Sequence, residues 1–379
     1  MQRVLIVGGG IAGLSVMRFL NKLDFEVKLI EKAPQLRASG AGIMLGINAM
    51  KLLDKLGLAE QVIQQGQALS AFSMVDAKGK HISVSDALYM ESQTGYKTVA
   101  IHRRELHAIL SQGMDIDKIK LNTTVTELNR IGGTMYVTYS DDQQDEFDLV
   151  IAADGLYSET RKHIGLPSML RYAGYTCWRF VIERPDSVPV DQGYEYWGRG
   201  RRFGIVPLGN NQLYCFATLN ADEGDQQYAD IGINAFKKLF EAFGGVVPSI
   251  LQALSSDDLL IHNDLCDQRV VRLQQAGTAL IGDASHAATP NMGQGAAMAL
   301  EDGYILADCL NKETDLDSAL QAYETRRIDR VKLIRDRSFM VGRIAQWENG
   351  FVRAIRDNMF RIMPSKGLSK DLCEVLMAY

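Results

Sequence analysis

The most constraining feature of this chain is a pair of glycine-rich turns, one near each end. The first, in residues 4–13 (VLIVGGGIAG), follows an apolar run of strand type. The second lies in residues 278–303, where Gly282-Asp283-Ala284 follows a short apolar run and a Gly-Gln-Gly turn precedes a helical pattern. Two such turns predict that distant segments close on one long ligand that carries phosphate groups.

The first turn lies in the context of a β-α-β unit. Residues 3–7 and 26–30 have strand patterns, and residues 11–23 have a helical one. Gly8 would permit the tight turn, Gly10 the approach of a pyrophosphate, and Gly13 the close packing of helix on strand. Glu31, at the end of the second strand, would accept hydrogen bonds from ribose hydroxyls. A glycine-rich turn without a ligand is the alternative, but this context favours dinucleotide binding.

Composition is that of an ordinary globular protein, with 46% hydrophobic and 23% charged residues. A net charge of −5 gives no reason to expect nucleic acid as a partner. The five cysteines and six histidines lack ligand spacing, so we expect neither a disulfide framework nor a metal site. The cysteine pattern, with neither an export signal nor a membrane-spanning run in the sequence, predicts a cytoplasmic location.

The pattern along the chain predicts an α/β fold, with a discontinuous Rossmann-like domain interrupted by a mostly antiparallel sheet. The dinucleotide-binding domain would comprise residues 1–70, 98–168 and 272–340. The substrate domain would comprise residues 71–97 and 169–271, where aromatic and β-branched residues are frequent.

Residues 341–379 would form a helical tail, with one amphipathic helix over about 347–379. Such a helix either closes the core or makes a weak peripheral contact with a membrane or a partner.

Three segments together resemble the single-component flavoprotein aromatic hydroxylases of the p-hydroxybenzoate hydroxylase fold. They are the first glycine turn, Asp154-Gly155 with Ser158 and Arg161, and Gly282-Asp283 with the turn after Pro290. The resemblance implies FAD as the cofactor, with NAD(P)H as a transient co-substrate and O2 as the oxidant. It also implies hydroxylation of a small aromatic substrate through a flavin C4a-hydroperoxide.

The resemblance also assigns FAD-contacting residues. It implies that Arg103 contacts FAD, Val125 offers backbone to the adenine, Asp283 binds the ribityl chain, and the turn after Pro290 donates N–H groups to the flavin ring. Asp154 would serve both FAD and the nicotinamide, or else cap a helix. The full set is Gly8, Gly10, Ile11, Ala12, Gly13, Glu31, Lys32, Met44, Arg103, Val125, Asp154, Asp283, Pro290, Gly293, Gln294, Gly295, Ala296 and Ala297.

Within the family, residues 174–179, 196–202 and 214–219 are similar to hydroxylases that act on 2-alkyl-4-quinolones at C3. The resemblance places four residues at the substrate: Cys177, Arg202, Tyr214 and Asn291. Urate hydroxylases are the other near group, but Cys177 and Asn291 replace the Asn and Asp that those enzymes use. Arg202 could instead be a solvated hairpin residue, and Tyr214 and Trp178 ordinary core aromatics.

No side chain is assigned as a catalytic acid or base, and His286 is interpreted as a hydrogen-bonding loop residue. Other aromatic substrates, such as urate, salicylate or nicotinate-like compounds, stay open. The alternatives in reaction class are an NAD(P)H oxidase or flavin reductase, an epoxidase of the same fold, and a flavin-dependent binding protein without turnover.

Overall fold

The computed structural model describes residues 2–36, 40–229, 231–255 and 260–379. The strands are β1 (Gln2–Val7), β2 (Phe25–Ile30), β3 (Gly42–Leu45), β4 (Gln67–Leu69), β5 (Ala71–Asp76), β6 (His81–Asp86), β7 (Thr98–His102), β8 (Ile119–Lys120), β9 (Val125–Ile131), β10 (Thr134–Tyr139), β11 (Gln144–Phe147), β12 (Leu149–Ala152), β13 (Leu170–Glu183), β14 (Gln192–Trp197), β15 (Arg201–Pro207), β16 (Gln212–Asn220), β17 (Ile261–Gln268), β18 (Gln274–Gln275) and β19 (Thr278–Leu280). The helices are α1 (Ile11–Leu20), α2 (Ile47–Lys55), α3 (Ala59–Gln65), α4 (Ala87–Thr94), α5 (Arg103–Ser111), α6 (Glu159–His163), α7 (Gln226–Ala229), α8 (Ile233–Phe240), α9 (Val247–Ala253), α10 (Asp283–His286), α11 (Gly295–Lys312), α12 (Leu316–Ala345), α13 (Gly350–Ile362) and α14 (Ser365–Met377).

A six-stranded sheet in the order β18-β19-β12-β1-β2-β8 organises the first half of the fold. All its pairings are parallel except that of β18 with β19. Alternate residues of β1 face opposite layers: Val4 and Ile6 pack with α1 and α11, whereas Leu5 and Val7 pack against β9, β10 and β11. Burial on both faces explains why β1 and β12 are continuous apolar runs.

The strand order brings four sequence motifs to one edge of this sheet. β19, β12, β1 and β2 are successive neighbours, so their carboxyl ends lie side by side. These ends lead into Asp283, Asp154, the glycine turn from Gly8, and Glu31. In open α/β sheets, ligands bind at the carboxyl edge where the strand order reverses, and β1 is that strand here.

A seven-stranded sheet in the order β17-β13-β16-β15-β14-β5-β6 forms the second half. It is antiparallel except for β14 with β5, which confirms a mostly antiparallel sheet. Trp178, Phe203 and their neighbours on one face pack against Phe236 and Phe240 of α8. The core interpretation of Trp178 is therefore confirmed. Two three-stranded sheets, β11-β10-β9 and β3-β7-β4, complete the fold.

The end of the chain differs from the predicted single helix. α12 continues to Ala345, and residues 347–379 contain two helices, α13 and α14, not one. The chain breaks helical geometry at Met363, whose backbone is extended ahead of Pro364. A residue that precedes proline is sterically driven out of the helical region, which accounts for the interruption. Among the described residues, no helix is both long and apolar enough to cross a membrane.

Candidate functional site

The three glycines of the first turn have different surroundings. Gly8 has a φ of +108°, and a Cβ there would lie 2.5 Å from the carbonyl oxygen of Ala153. A Cβ on Gly13 would lie 1.9 Å from the carbonyl oxygen of Gly8. A Cβ on Gly10, by contrast, would meet no described atom within 4 Å. Gly8 and Gly13 are therefore required by the protein itself, whereas Gly10 borders open space at the amino end of α1.

Glu31 and His107 hold the glycine turn in place. One carboxylate oxygen of Glu31 accepts the Gly9 N–H at 2.7 Å, and the other accepts the Ala33 N–H at 2.8 Å. The buried His107 donates from Nε2 to the Gly9 carbonyl at 2.7 Å, and burial lowers its pKa, which favours the neutral ring. Each Glu31 oxygen keeps a lone pair for a ribose hydroxyl, so that prediction remains compatible with these contacts.

Asp154 has a structural partner set. Its carboxylate accepts the Thr160 N–H and hydroxyl and, at 2.5 Å, the Ser158 hydroxyl, while Ser158 caps α6. Arg161 is buried and donates to the carbonyl of Ala284 at 2.7 Å. The N-cap of α6 is thus Ser158 and not Asp154, although Asp154 accepts hydrogen bonds from the first turn of that helix. The contact of Asp154 with FAD or nicotinamide stays a prediction. The motif joins the carboxyl ends of β12 and β19.

Asp283 lies on the other side of that junction. It is the first residue of α10 and is exposed, and its carboxylate makes no hydrogen bond or ion pair with the described residues. The preceding Gly282 has a φ of +56°, and its Cβ position lies 2.8 Å from Cβ of Ala12 in α1. The exposed carboxylate therefore stands close to the glycine turn and is free to accept hydroxyl groups.

The second glycine turn ends at the amino terminus of α11. Pro290 opens a short 3₁₀ turn, Gly293 has a φ of +62°, and α11 begins at Gly295. The buried Asn48 donates to Oε1 of Gln294 at 2.9 Å and thereby fixes the turn against α2. Gly295, Ala296 and Ala297 form the first turn of α11, whose N–H groups have no partner within the helix, so this end can bind the electron-rich edge of a flavin.

The remaining predicted FAD residues are spread around this edge. Met44 in β3 has its Cε 3.3 Å from the Cβ position of Gly293. Arg103 begins α5 and is exposed, and Lys32 is exposed beyond β2. Val125 is 6% exposed at the start of β9, and Ile11 and Ala12 begin α1.

The residues present fit FAD. The protein offers open space at Gly10, an unpartnered carboxylate at Asp283 and a free helix end at Gly295. They match in order a pyrophosphate, a polyhydroxyl chain and an electron-rich ring. When bound, FAD accepts a hydride from NAD(P)H and activates O2 for transfer to an aromatic ring.

A buried charge network lies behind the turn and was not predicted. Asp302 accepts His286 Nε2–H at 2.5 Å and Arg327 Nε–H at 2.8 Å. Glu301 pairs with Arg327 at 2.7 Å and with Arg330 at 2.8 Å. Both carboxylates are 0% exposed. Burial opposes their ionisation, but the neighbouring cations outweigh it and hold both pKa values below the usual range. The sequence does contain a signal for this network, because Glu301 and Asp302 interrupt the apolar run at the start of α11.

The four predicted substrate residues lie close to one another, but they differ in burial and in the partners that their side chains already have. Cys177 is 1% exposed, and burial raises the pKa of its thiol, which stays neutral. Arg202 is 2% exposed, pairs with Glu195 at 2.8 Å and lies over the Tyr175 ring at 5.2 Å. The alternative of a solvated hairpin arginine is therefore wrong.

Asn291 and Tyr214 both join the seven-stranded sheet to neighbouring elements. The Asn291 amide donates to the Tyr175 hydroxyl at 2.9 Å and to the Ser338 carbonyl at 2.8 Å, so its donors are already engaged. Tyr214 packs closely on β3. A Cβ added to Gly42 of that strand would lie 2.5 Å from the Cβ of Tyr214. Tyr214 therefore packs the seven-stranded sheet on the sheet β3-β7-β4, and Asn291 ties β13 to α12.

An apolar cavity of about 50 Å³ adjoins the second glycine turn. Its wall includes Met292, Gly293 and Gln294 of that turn. The other lining residues come from β3 to β7, α4, α14 and the N-cap of α2: Met44, Gly46, Leu69, Ala71, Phe72, Ser85, Ala87, Met90, Thr98, Leu372 and Leu376. None of these lining side chains is charged.

The fold and this edge define a flavoprotein monooxygenase, an oxidoreductase that uses FAD with NAD(P)H and O2 to hydroxylate aromatic compounds. The chain belongs to the family of the FAD binding domain, whose model matches residues 1–338. The resemblance to single-component aromatic hydroxylases, the cofactor and the mixed α/β fold are thereby confirmed.

Two relatives cover nearly the whole chain. It is 34% identical over 363 residues to the aurachin C monooxygenase/isomerase of Stigmatella aurantiaca, covering 96% of this chain and 94% of that one. It is 32% identical over 368 residues to the 2-heptyl-3-hydroxy-4(1H)-quinolone synthase of Pseudomonas aeruginosa, with the same two coverages. The structure of Klebsiella pneumoniae HpxO complexed with FAD and uric acid shares the fold, with a TM-score of 0.93, 24% identity, and coverage of 100% of this chain and 97% of that one.

Proposed function

We propose that this enzyme hydroxylates a neutral nitrogen heteroaromatic with an alkyl substituent, of the 2-alkyl-4-quinolone type, at C3. The names of the two relatives above, a quinolone synthase and an aurachin monooxygenase, support this substrate class. The structural observation that carries it is the apolar cavity, which opens beside the turn expected to bind the flavin ring.

The cavity suits an aliphatic substituent. Met44 borders both this cavity and Gly293, so an alkyl chain placed there would extend from a ring held near the turn. Leu372 and Leu376 of α14 also line the cavity. Burying methylene groups against such side chains contributes about 0.8 kcal/mol for each CH₂, whereas a purine gains nothing from this space.

The polar groups near Cys177 also favour a neutral ring. Glu195 compensates the charge of Arg202, so this pair offers little attraction to an anionic substrate. The neutral thiol of Cys177 and the engaged amide of Asn291 supply no free donor to a polar purine. A site without such partners discriminates against a ligand that needs them.

The role of the chain's own residues is positioning and exclusion of water. Gly10, Asp283 and the amino end of α11 would hold FAD along the sheet edge. The second sheet, tied to the turn through Tyr175 and Asn291, would cover the ring from the opposite side. No proton transfer is assigned to a side chain.

The test is NAD(P)H oxidation by the FAD-loaded enzyme with 2-heptyl-4-quinolone or with urate, followed by product mass. We expect the quinolone to stimulate oxidation and to gain one oxygen, with urate inactive. Coupled turnover of urate and none of the quinolone would refute the substrate class. Peroxide formation without any oxygenated product would support the oxidase alternative.

A matched pair of variants sharpens this test. Cys177→Asn buries an amide on the proposed substrate face, and we expect kcat/KM for the quinolone to fall by about tenfold or more because the amide lacks partners. Cys266→Ser in β17 changes a half-buried cysteine of the same sheet and should leave kcat/KM unchanged. Equal effects of the two variants would contradict the placement of Cys177 at the substrate.

A further inference from the structure

Helix α13 has its polarity reversed relative to an ordinary surface helix. Its charged residues Arg356 and Asp357 are only 2% and 8% exposed. Its large apolar residues face outward: Phe351 is 75%, Ile355 46% and Ile362 81% exposed. Positions 351, 355, 359 and 362 share one helix face, so these side chains, with Met359, form one continuous apolar stripe.

Specific contacts fix this orientation. Arg356 donates to the carbonyls of Ile344 and Ala345, which end α12, and its guanidinium lies 4.7 Å from the ring centroid of Trp197. Cations are favoured at a helix carboxyl terminus, where carbonyl groups are unpaired. Arg361, at the flank of α13, donates to the carbonyl of His81 at 2.8 Å. The outward apolar face therefore follows from the inward contacts of Arg356 and Arg361.

The surroundings of the stripe are basic. Residues 341–379 contain six Arg and Lys and four Asp and Glu, in a chain whose net charge is −5, and Lys370 pairs with Glu374 at 3.9 Å. Arg343 and Lys366, which flank α13 in the sequence, are exposed, and Trp347, just before it, is 38% exposed. An apolar face with aromatic residues, flanked by exposed cations, is the pattern of helices that lie in a membrane interface.

We propose that α13 docks this enzyme peripherally on a membrane surface rich in anionic phospholipid, with the apolar stripe among the acyl chains and the cations at the headgroups. A second copy of the chain fits less well. A symmetric dimer would place this patch against itself, so the basic flanks of the two copies would face each other. The inference does not depend on which aromatic compound is hydroxylated.

The test is co-sedimentation of the FAD-loaded enzyme with vesicles of phosphatidylcholine mixed with phosphatidylglycerol, compared with phosphatidylcholine alone. We expect binding to the anionic vesicles that weakens as salt is raised, because screening reduces the headgroup attraction. The triple variant Phe351→Ser, Ile355→Ser, Ile362→Ser should bind at least about tenfold more weakly, since it removes most of the inserted surface.

A control variant, Ile116→Ser with Ile131→Ser, removes apolar side chains that are 64% and 65% exposed outside α13, and should bind like the wild type. Retained flavin absorbance and circular dichroism would show that both variants fold. Unchanged binding of the triple variant, equal binding to phosphatidylcholine alone, or no binding to either vesicle would overturn the proposal. So would a dimer in solution that the triple variant dissociates, because a second copy would then cover the stripe.

Discussion

The backbone N–H of Gly282 donates to Oδ2 of Asp302 at 2.8 Å, which ties the turn that carries Asp283 to the middle of α11. The same carboxylate holds His286 and Arg327. The conformation of Gly282, with its positive φ, is thus held by a buried acid of α11. The position of the Asp283 carboxylate depends on this interior network.

Asp302→Asn should destabilise the fold strongly. The substitution removes one of the two buried carboxylates that pair with Arg327, and breaking a buried pair costs about 3–5 kcal/mol. Asp317→Asn is the control, because its pair with Arg130 is exposed and its loss should cost about 0–1 kcal/mol. Urea unfolding of both variants measures the difference, and similar losses would show that the network adds little.

The same network predicts acid sensitivity. The pKa values of Asp302 and Glu301 are lower in the folded state than in the unfolded chain, because nearby cations outweigh burial. Their contribution to stability is therefore complete above the unfolded carboxyl pKa of about 4 and is lost as pH falls below that value. We expect the free energy of unfolding to drop more steeply below this pH in the wild type than in Asp302→Asn. Parallel pH profiles would contradict the assignment.

Gly10 and Gly13 should respond in opposite ways to a side chain. Gly10→Val adds a side chain in open space at a backbone φ of −75°, so the apoprotein should fold normally but lose FAD, because the side chain occupies the pyrophosphate position. Gly13→Ala places a Cβ against the Gly8 carbonyl and should prevent stable folding. Flavin absorbance and thermal unfolding separate the two outcomes. Full flavin content in Gly10→Val would exclude this turn as the pyrophosphate site.

Asp283→Ala should weaken FAD binding without loss of fold. Hydrogen bonds to charged groups contribute about 1.5–3 kcal/mol each, so the dissociation constant should rise by about tenfold or more. Asp186→Ala removes another exposed carboxylate, beyond β13, and should have no effect. Fluorescence titration of the apoprotein with FAD measures both. An unchanged constant would make Asp283 a residue of the turn only.

The FAD edge was predictable because its elements are local. Gly8, Gly10 and Gly13 lie within one turn, and the strands that flank them have unmistakable apolar runs. The hydrogen-bond partners of Asp154 are likewise within six residues of it. When the residues of a motif lie only a few positions apart, their spacing can be recognised in the sequence. The spacing of these two motifs agrees with the structure.

The charge network and α13 were not predictable in the same way. Arg327 and Arg330 in α12 pair with acids in α11, and spacing along either helix does not indicate a partner on the other. For α13, the periodicity of Phe351, Ile355 and Ile362 showed that one face is apolar but not which way it points. The direction depends on where Arg356 finds its acceptors, at the end of α12.

The bond from Arg161 to the Ala284 carbonyl spans most of the inserted sheet in sequence. β12 pairs in parallel with β19, and this pairing cannot form until the whole of the seven-stranded sheet has been synthesised. On the ribosome, the nascent amino-terminal half therefore carries an apolar strand with one open edge for over a hundred residues of translation. An open apolar edge of this kind favours aggregation, so the interrupted order of the domains carries a risk during synthesis that an uninterrupted order would not.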